Sequence, residues 1–305
     1  MRSTSRPTRR AATRCRTKFG PRIRTAAVGK RTSSSPKRKN ATTIKQPAAR
    51  RKPPKHPHRP RAADVNLARR AAAEAVGSAL LLTAVVGSGI MAQRLSGGND
   101  GLALLANAIA TGGALVAIIL AFGPVSGAHL NPAVTLADAW QRGIAWRDVP
   151  AYIGAQIVGG IGGVVIANVM FGLPAVFVSH HARAGAPQLL SEFVATFGLL
   201  AVIWGCSRSK PSATPYAVAA YIVGAYWFTS STSFANPAVT IARSLSDTFA
   251  GIRPNDVVPF IGVQLVGAAA ATALFAWFAP TSPQAADAVL VPHLDELKEP
   301  TYAVR

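Results

Sequence analysis

The sequence is poor in the residues that build disulfide, metal and catalytic sites. Its 305 residues include 2 Cys and 6 His, and Cys15 and Cys206 stand 191 positions apart. This spacing gives neither a disulfide framework nor a metal-ligand pattern. The adjacent His180 and His181 have no third ligand residue beside them, which is typical of a solvated loop. No Gly-rich phosphate loop or Ser/His/Asp combination stands out. We therefore predict no enzyme activity, no cofactor and no metal site.

Acidic residues are absent from one end of the chain. Residues 1–62 hold 21 of the 33 Lys and Arg residues but none of the 12 Asp and Glu residues, so residues 63–305 hold 12 of each charge. The chain therefore divides into a strongly basic tail and a neutral, apolar body. That division excludes an ordinary soluble enzyme, whose charges cover its surface along the whole chain.

The basic tail, residues 1–62, has no helical or strand periodicity and little apolar mass, so we predict that it is disordered. An acid-free start rich in Arg and Ser is typical of an organelle transit peptide. A polycation beside a membrane can also bind anionic lipid or nucleic acid. The simplest alternatives are that the tail only reinforces orientation, or that the start codon is placed too far upstream. Residues 281–305 are predicted to form a cytoplasmic C-terminal tail.

Six long apolar stretches fill the body, residues 63–280. Each is close to the roughly 20 residues that a helix needs to cross the hydrocarbon core. Gly and Ala are frequent in them, as expected where membrane helices pack closely. They lie at residues 71–94, 102–122, 149–171, 188–207, 214–232 and 256–279. We therefore predict an all-α membrane protein with six transmembrane helices.

The positions of Lys and Arg predict how these helices are oriented. The basic tail and the links around residues 142–147 and 208–210 alternate with the positive-poor links 95–101 and 172–187. We therefore expect a multi-pass protein of the cell membrane with both termini in the cytoplasm.

Two segments that are too polar to span the membrane share one motif. Asn-Pro-Ala-Val-Thr stands at residues 131–135 and recurs at 236–240, an offset of 105 residues. A second repeated feature is a Glu near the start of a span, Glu74 in the first span and Glu192 in the fourth. Each half holds three spans, so the second copy must be inserted upside down, as in the inverted repeats of transport folds.

The local chemistry of this motif predicts the start of a helix. Asn is a favoured N-cap and Pro is favoured at the first helical position. The roughly 11 residues that follow make about half a span. Two such half helices, entering from opposite faces, would meet at the bilayer midplane with free N–H groups and positive dipole ends facing a common point. Irregular backbone at that depth is tolerated only around an aqueous cavity.

This arrangement resembles the aquaporin, or major intrinsic protein, family. The resemblance covers about residues 70–280 and includes both Asn-Pro-Ala motifs, the Ser-Gly-Ala-His-Leu segment before the first, and the two Glu-bearing span starts. It implies an inverted 3+3 repeat of six transmembrane helices plus two re-entrant half helices. It also implies a homotetramer with one pore per subunit. Selectivity in such pores depends on diameter, on lining hydrogen-bond groups, and on an Arg or half-helix dipoles that repel cations and protons.

The resemblance also implies roles for individual residues. Asn131 and Asn236 would donate hydrogen bonds to a neutral solute at mid-pore. Glu74 and Glu192 would be buried acceptors that fix the loops carrying the motifs, although each taken alone also fits a cap at its span start. We expect His129 to pack and hydrogen-bond beside the first motif rather than to bind a ligand. The six motif residues are Asn131, Pro132, Ala133, Asn236, Pro237 and Ala238.

The chain departs from the family at the narrow selectivity filter. Most members have Arg directly after the second Asn-Pro-Ala, where this chain has Val239, and we expect Arg243, one turn further on, to be a poor substitute. The other filter positions map to Thr111, Gly224 and Ser233, although a single gap would shift the Gly224 assignment. The expected result is a wider ring without a fixed charge.

The continuation of the second motif, residues 236–252, resembles the bacterial subgroup encoded with arsenic-resistance genes. We therefore predict a channel for facilitated diffusion of small neutral solutes. The candidates are arsenite, methylated arsenicals or other metalloid acids, glycerol and water. One alternative is a water-selective aquaporin. A coupled secondary transporter is a more distant one, because Glu74 and Glu192 lie near span starts and not at the midplane.

Overall fold

A computed structural model of the chain describes residues 65–278; the predicted basic tail and C-terminal tail lie outside these residues. Within them every regular element is a helix, as predicted. The α-helices are α1 Leu67–Leu95, α2 Asp100–Ser126, α3 Pro132–Trp140, α4 Val149–Met170, α5 Ala186–Ser209, α6 Thr214–Phe228, α7 Pro237–Arg243 and α8 Pro254–Phe278.

Five of these helices, α1, α2, α4, α5 and α8, are long and apolar enough to cross a membrane. The fifth predicted span, residues 214–232, differs from the prediction. It is the 15-residue α6, preceded by a 3-10 turn at Pro211–Ala213. It ends at Phe228 and not at residue 232, because Thr229 adopts an extended conformation, with φ −111° and ψ 138°. The shortened end leaves the following residues free to enter the protein as an irregular segment.

In α1–α4 and again in α5–α8, two longer helices are followed by a short one of 9 or 7 residues and then by a long one. In each copy the first and last helices pack closely at a glycine. A Cβ on Gly159 of α4 would overlap the carbonyl of Ala75 in α1. A Cβ on Gly267 of α8 would lie 2.6 Å from the carbonyl oxygen of Phe193 in α5. The absence of a side chain at both places therefore lets the helix backbones touch, as in other membrane bundles.

The two short helices begin where the sequence predicts. Asn131 caps α3, its side chain accepting a hydrogen bond from the N–H of Ala133, and Asn236 caps α7 in the same way through Ala238. Proline occupies the first helical position in both. The helices are 9 and 7 residues long, so each reaches through only part of a bilayer.

Candidate functional site

The starts of the two short helices are joined by reciprocal hydrogen bonds. The Asn131 side chain donates from Nδ2 to the carbonyl of Ala235 at 2.8 Å, and Asn236 Nδ2 donates to the carbonyl of Leu130 at 2.8 Å. Each carboxamide oxygen accepts from the backbone of its own helix. Since an Asn side chain carries two N–H groups, each asparagine keeps a second donor beyond this junction.

The segments that lead into the two helices have the same backbone conformation. Each segment begins with a Ser, Ser126 or Ser231. If that Ser is residue one, residues two, three and five have a positive φ in both copies. These residues are Gly127, Ala128 and Leu130 in one copy and Thr232, Ser233 and Ala235 in the other. A positive φ is unfavourable for most L-residues, and most of all for a β-branched one such as Thr. The surrounding contacts therefore hold these segments in place.

In the first half, the holding group is the carboxylate of Glu74, which is fully buried. Its Oε1 accepts from Ser126 Oγ at 2.6 Å and from the His129 N–H at 3.0 Å. Its Oε2 accepts from the Leu130 N–H at 2.6 Å and from Gln156 Nε2 at 2.7 Å. Glu74 thus satisfies backbone donors that would otherwise be buried without partners.

In the second half, Glu192 occupies the equivalent place and is also fully buried. It accepts from the N–H groups of Phe234 and Ala235, both at 2.9 Å, and from Gln264 Nε2 at 2.6 Å. The structure therefore places both predicted acceptors against the loops that carry the motifs. Neither carboxylate lines the cavity described below.

Each carboxylate is linked to its short helix through a glutamine and a threonine. Gln156 Nε2 donates to Thr135 Oγ1, and Gln264 Nε2 donates to Thr240 Oγ1, both at 2.9 Å. Each threonine hydroxyl donates in turn to the carbonyl of its capping asparagine. This chain of contacts fixes the start of each short helix relative to a long one.

His129 lies beside the first motif and makes several contacts. Its Nδ1 is 3.2 Å from Thr135 Oγ1, its Nε2 is 3.5 Å from Asp138 Oδ2, and its ring packs on Tyr152 with centroids 5.4 Å apart. It also lines the edge of the central cavity. These are packing and hydrogen-bonding contacts.

A narrow cavity of about 70 Å³ lies where the short helices meet. One water needs roughly 10–15 Å³ on the same scale, so a short file of waters or one small solute fits. Its polar lining comes from both motifs, α2, α6 and the end of α7. The polar and filter residues that line it include Asn131, Asn236, Thr111, Ser233, Val239, Tyr226 and Arg243. The side-chain oxygen of Ser233 is buried and has no hydrogen-bond partner among the described residues.

Of the four predicted filter residues, Thr111, Ser233 and Val239 line this cavity, whereas Gly224 does not. From α6 the cavity receives Ile222 and Tyr226 instead. Gly224 comes two residues after Ile222, and two residues correspond to about 200° around a helix. A Cβ at this position would point to Phe228 of the same helix.

Tyr226 was missed by the sequence analysis. Its hydroxyl lies 3.3 Å from Thr111 Oγ1, so α6 and α2 are joined across the cavity. The available signal is helical spacing, since Ile222 and Tyr226 stand four residues apart and share one face. This face carries a hydroxyl that can lie opposite Thr111, whereas the face with Gly224 does not.

Two buried arginines gather around one phenylalanine in the second half. The guanidinium carbon of Arg243 lies 3.5 Å from the ring centroid of Phe234, and that of Arg183 lies 4.9 Å from it. Arg183 belongs to the link between α4 and α5. Burial, and after it the positive charge of Arg243, lowers the pKa of Arg183 to about 9. Arg183 is not among the site residues predicted from the sequence.

The link that carries His180 contacts the segment after α7. The His180 N–H donates to Asp247 Oδ1 at 2.9 Å and the ring Nδ1 lies 3.1 Å from Oδ2. The backbone hydrogen bond is the main reason that the pKa of Asp247 lies below its usual value. Within residues 65–278, no group of three or more His, Cys, Asp and Glu side chains is placed to hold a metal ion.

Comparison with known proteins gives consistent matches. The family profile described as "Major intrinsic protein" matches residues 61–233, a range that ends before the second Asn-Pro-Ala. The chain is 51% identical over 214 residues to "Aquaglyceroporin AqpS" of Rhizobium meliloti (strain 1021), covering 70% of this chain and 91% of that protein. It is 37% identical to "Aquaporin NIP3-1" of Oryza sativa subsp. japonica, over 47% of this chain and 46% of that one.

Among solved structures, the aquaglyceroporin from Plasmodium falciparum matches with a TM-score of 0.52 and 21% sequence identity. The match covers 70% of this chain and 95% of that one. At this identity the likeness concerns the fold alone, and it confirms the predicted fold class.

Proposed function

Because this chain belongs to the major intrinsic protein family, we propose that it conducts arsenite, other uncharged metalloid acids and glycerol down their gradients. The coarser part of this function follows from the family: the chain is a membrane channel for small neutral solutes, and not an enzyme. One named relative is an aquaglyceroporin, which favours glycerol over a water-only cargo.

The observation that carries the proposal is an aliphatic side chain at the cavity wall directly after the second motif. Val239 occupies the position where most of the family has Arg, and it lines the cavity together with Thr111 and Ser233. Valine removes the planar donor fork from that position and leaves open the space that an Arg side chain would fill. The opening left there suits uncharged polyhydroxy solutes that are wider than water.

A coupled transporter is disfavoured by where the buried carboxylates lie. Such a protein needs ionisable groups that bind and release a coupling ion at the transport site. Glu74 and Glu192 are instead fully buried and hydrogen-bonded to loop backbone. Flux that saturates and collapses with an uncoupler would favour the transporter.

The test is uptake by vesicles that contain the purified chain, with water, glycerol, urea and arsenite compared by stopped-flow. We expect glycerol and arsenite to enter well above the lipid background. Val239→Arg should lower their entry by roughly tenfold while water still passes, because it narrows the ring and adds a donor fork. If water passes quickly while glycerol and arsenite stay at the background, the water-selective alternative is correct.

Three finer features belong to the same proposal: insertion in the cell membrane with both termini cytoplasmic, assembly as a homotetramer, and binding of anionic lipid by the basic tail. Exposed apolar side chains on the outer helix faces, such as Val158 and Val258, support contact with lipid or neighbouring subunits.

In intact cells an impermeant thiol reagent should label Ser96→Cys but not the wild-type chain, since Cys15 and Cys206 would both face the cytoplasm. Labelling of the wild type would overturn this orientation.

A further inference from the structure

Arg243 lines the same cavity as Val239, one helical turn further along α7. Residues four apart share one face of a helix, so the guanidinium follows the valine along the same wall. We propose that Arg243, held against Phe234, supplies the cationic group of the filter that position 239 lacks, so that the pore rejects small cations while it passes neutral solutes. This inference rests on the proposed function and replaces the expectation of a filter without a fixed charge.

The position of the Arg243 side chain is set by two contacts. Its Nε donates to the carbonyl of Ala250, and its guanidinium carbon lies 3.5 Å from the centroid of the Phe234 ring. Phe234 is itself fixed, because its backbone N–H donates to Glu192. The same carboxylate that holds the second motif therefore also positions the platform beneath the arginine.

The terminal nitrogens of Arg243 remain available to a solute. Among residues 65–278, the one hydrogen bond from this side chain is that of Nε to Ala250. Arg183 differs, since its Nε donates to the carbonyl of Gly251 at 2.8 Å and its Nη1 to the carbonyl of Ser231 at 3.0 Å. Arg183 therefore fixes the surrounding loops, while Arg243 offers donors to the cavity.

The charge of Arg243 is not neutralised by an ion pair. None of the ion pairs within the described residues includes Arg243 or Arg183. The Asp256 carboxylate accepts from the Arg183 backbone N–H and from the Arg253 side chain. The two guanidinium groups share one nearby carboxylate, that of Glu192, so a net positive potential remains in this part of the cavity. A cation entering the cavity is repelled by this potential, whereas a neutral solute is not.

The set-back position of the arginine explains how such a filter can be both charged and wide. At position 239 an Arg side chain would start beside the narrow ring, whereas the Arg243 side chain starts a turn away and lies along Phe234. The positive charge therefore still acts on the cavity, while the smaller valine side chain keeps the ring wide.

The experiment compares urea with guanidinium, which are planar molecules of nearly the same size that differ in charge. In vesicles with the wild-type chain, urea should enter at least roughly tenfold faster than guanidinium. Arg243→Met should raise guanidinium entry by about tenfold and leave urea entry within about threefold. Arg243→Lys, which keeps the charge and the aliphatic stem, should still exclude guanidinium.

Arg208→Met is the matched control, because Arg208 lies over Phe275 in a similar contact, 5.9 Å from the ring centroid, and does not line the cavity. It should leave the exclusion of guanidinium intact. Equal entry of urea and guanidinium in the wild type overturns the inference without any variant, as does full exclusion by a folded Arg243→Met protein. If no neutral solute enters the wild-type vesicles above the lipid background, the channel proposal fails, and this inference fails with it.

Discussion

The two halves of the molecule, α1–α4 and α5–α8, hold their short helices through equivalent contacts but surround them with different side chains. Glu74 and Gln156 in one half correspond to Glu192 and Gln264 in the other, with the same backbone groups as partners. The residue two positions before the capping asparagine differs. It is His129 beside Asp138 in the first half, and Phe234 beneath Arg243 in the second.

This difference indicates a division of roles. The shared carboxylate and glutamine contacts fix the junction of the two motifs, and so they tolerate little change in either half. Of the side chains that differ, His129, Phe234 and Arg243 line the cavity, so the two halves give it different chemistry. The charge and width of the pore are therefore expected to depend mainly on the second half.

Removing the shared carboxylate should have the largest effect. Glu74→Leu and Glu192→Leu each leave buried N–H groups without an acceptor, which should lower the free energy of unfolding by about 3–5 kcal/mol. Glu74 accepts from four groups and Glu192 from three, so the first variant should lose more folded protein. The measurement is the fraction that stays monodisperse in detergent after heating. A large loss in one variant and none in the other would contradict the equivalence of the halves.

Disturbing the close helix contacts should have an intermediate effect. Gly159→Ala places a Cβ against the Ala75 backbone, and Gly267→Ala does so against α5, and each should cost about 1–3 kcal/mol of stability because backbone must move. Gly162→Ala and Gly262→Ala are matched controls in the same two helices, since a Cβ there has no neighbour within 4 Å. They should be neutral in a thermal unfolding assay. A similar loss in the controls would show that close packing at these sites is not the cause.

The smallest effect is expected from exchanging one residue between the two lead-in segments. Gly127 has φ 88° and its counterpart Thr232 has φ 59°. Gly127→Thr should destabilise by roughly 1–2 kcal/mol, because a β-branched side chain is forced into the left-handed region. Thr232→Gly should change stability by less than about 1 kcal/mol, since relief of strain is offset by greater freedom in the unfolded chain. Stabilisation by Gly127→Thr would refute the shared backbone conformation.

Much of the fold and the junction could be predicted from the sequence, because these features repeat. The repeated Asn-Pro-Ala motif predicts the two capped helices. Together with the matching positions of Glu74 and Glu192, it also predicts the inverted topology. The filter could be predicted only in part. Whether α6 presents Gly224 or Tyr226 depends on its rotation in the bundle, which single-residue mapping does not determine.

The role proposed for Arg243 does not follow from the sequence, for a different reason. Its distance from Val239 along the helix suggests a poor substitute for an Arg at position 239. A side chain as long as Arg can, however, extend past one helical turn along the cavity wall. Its direction is decided by Phe234 and Ala250, and neither contact has a local signal in the sequence.

An experimental density map of the full chain in a lipid bilayer would show the pore geometry itself. We predict that the side-chain amides of Asn131 and Asn236 lie within hydrogen-bond distance of the carbonyls of Ala235 and Leu130. Val239 and Arg243 should face the same water-filled path. Density that separates the two asparagines, or turns Val239 away from the path, would contradict the account.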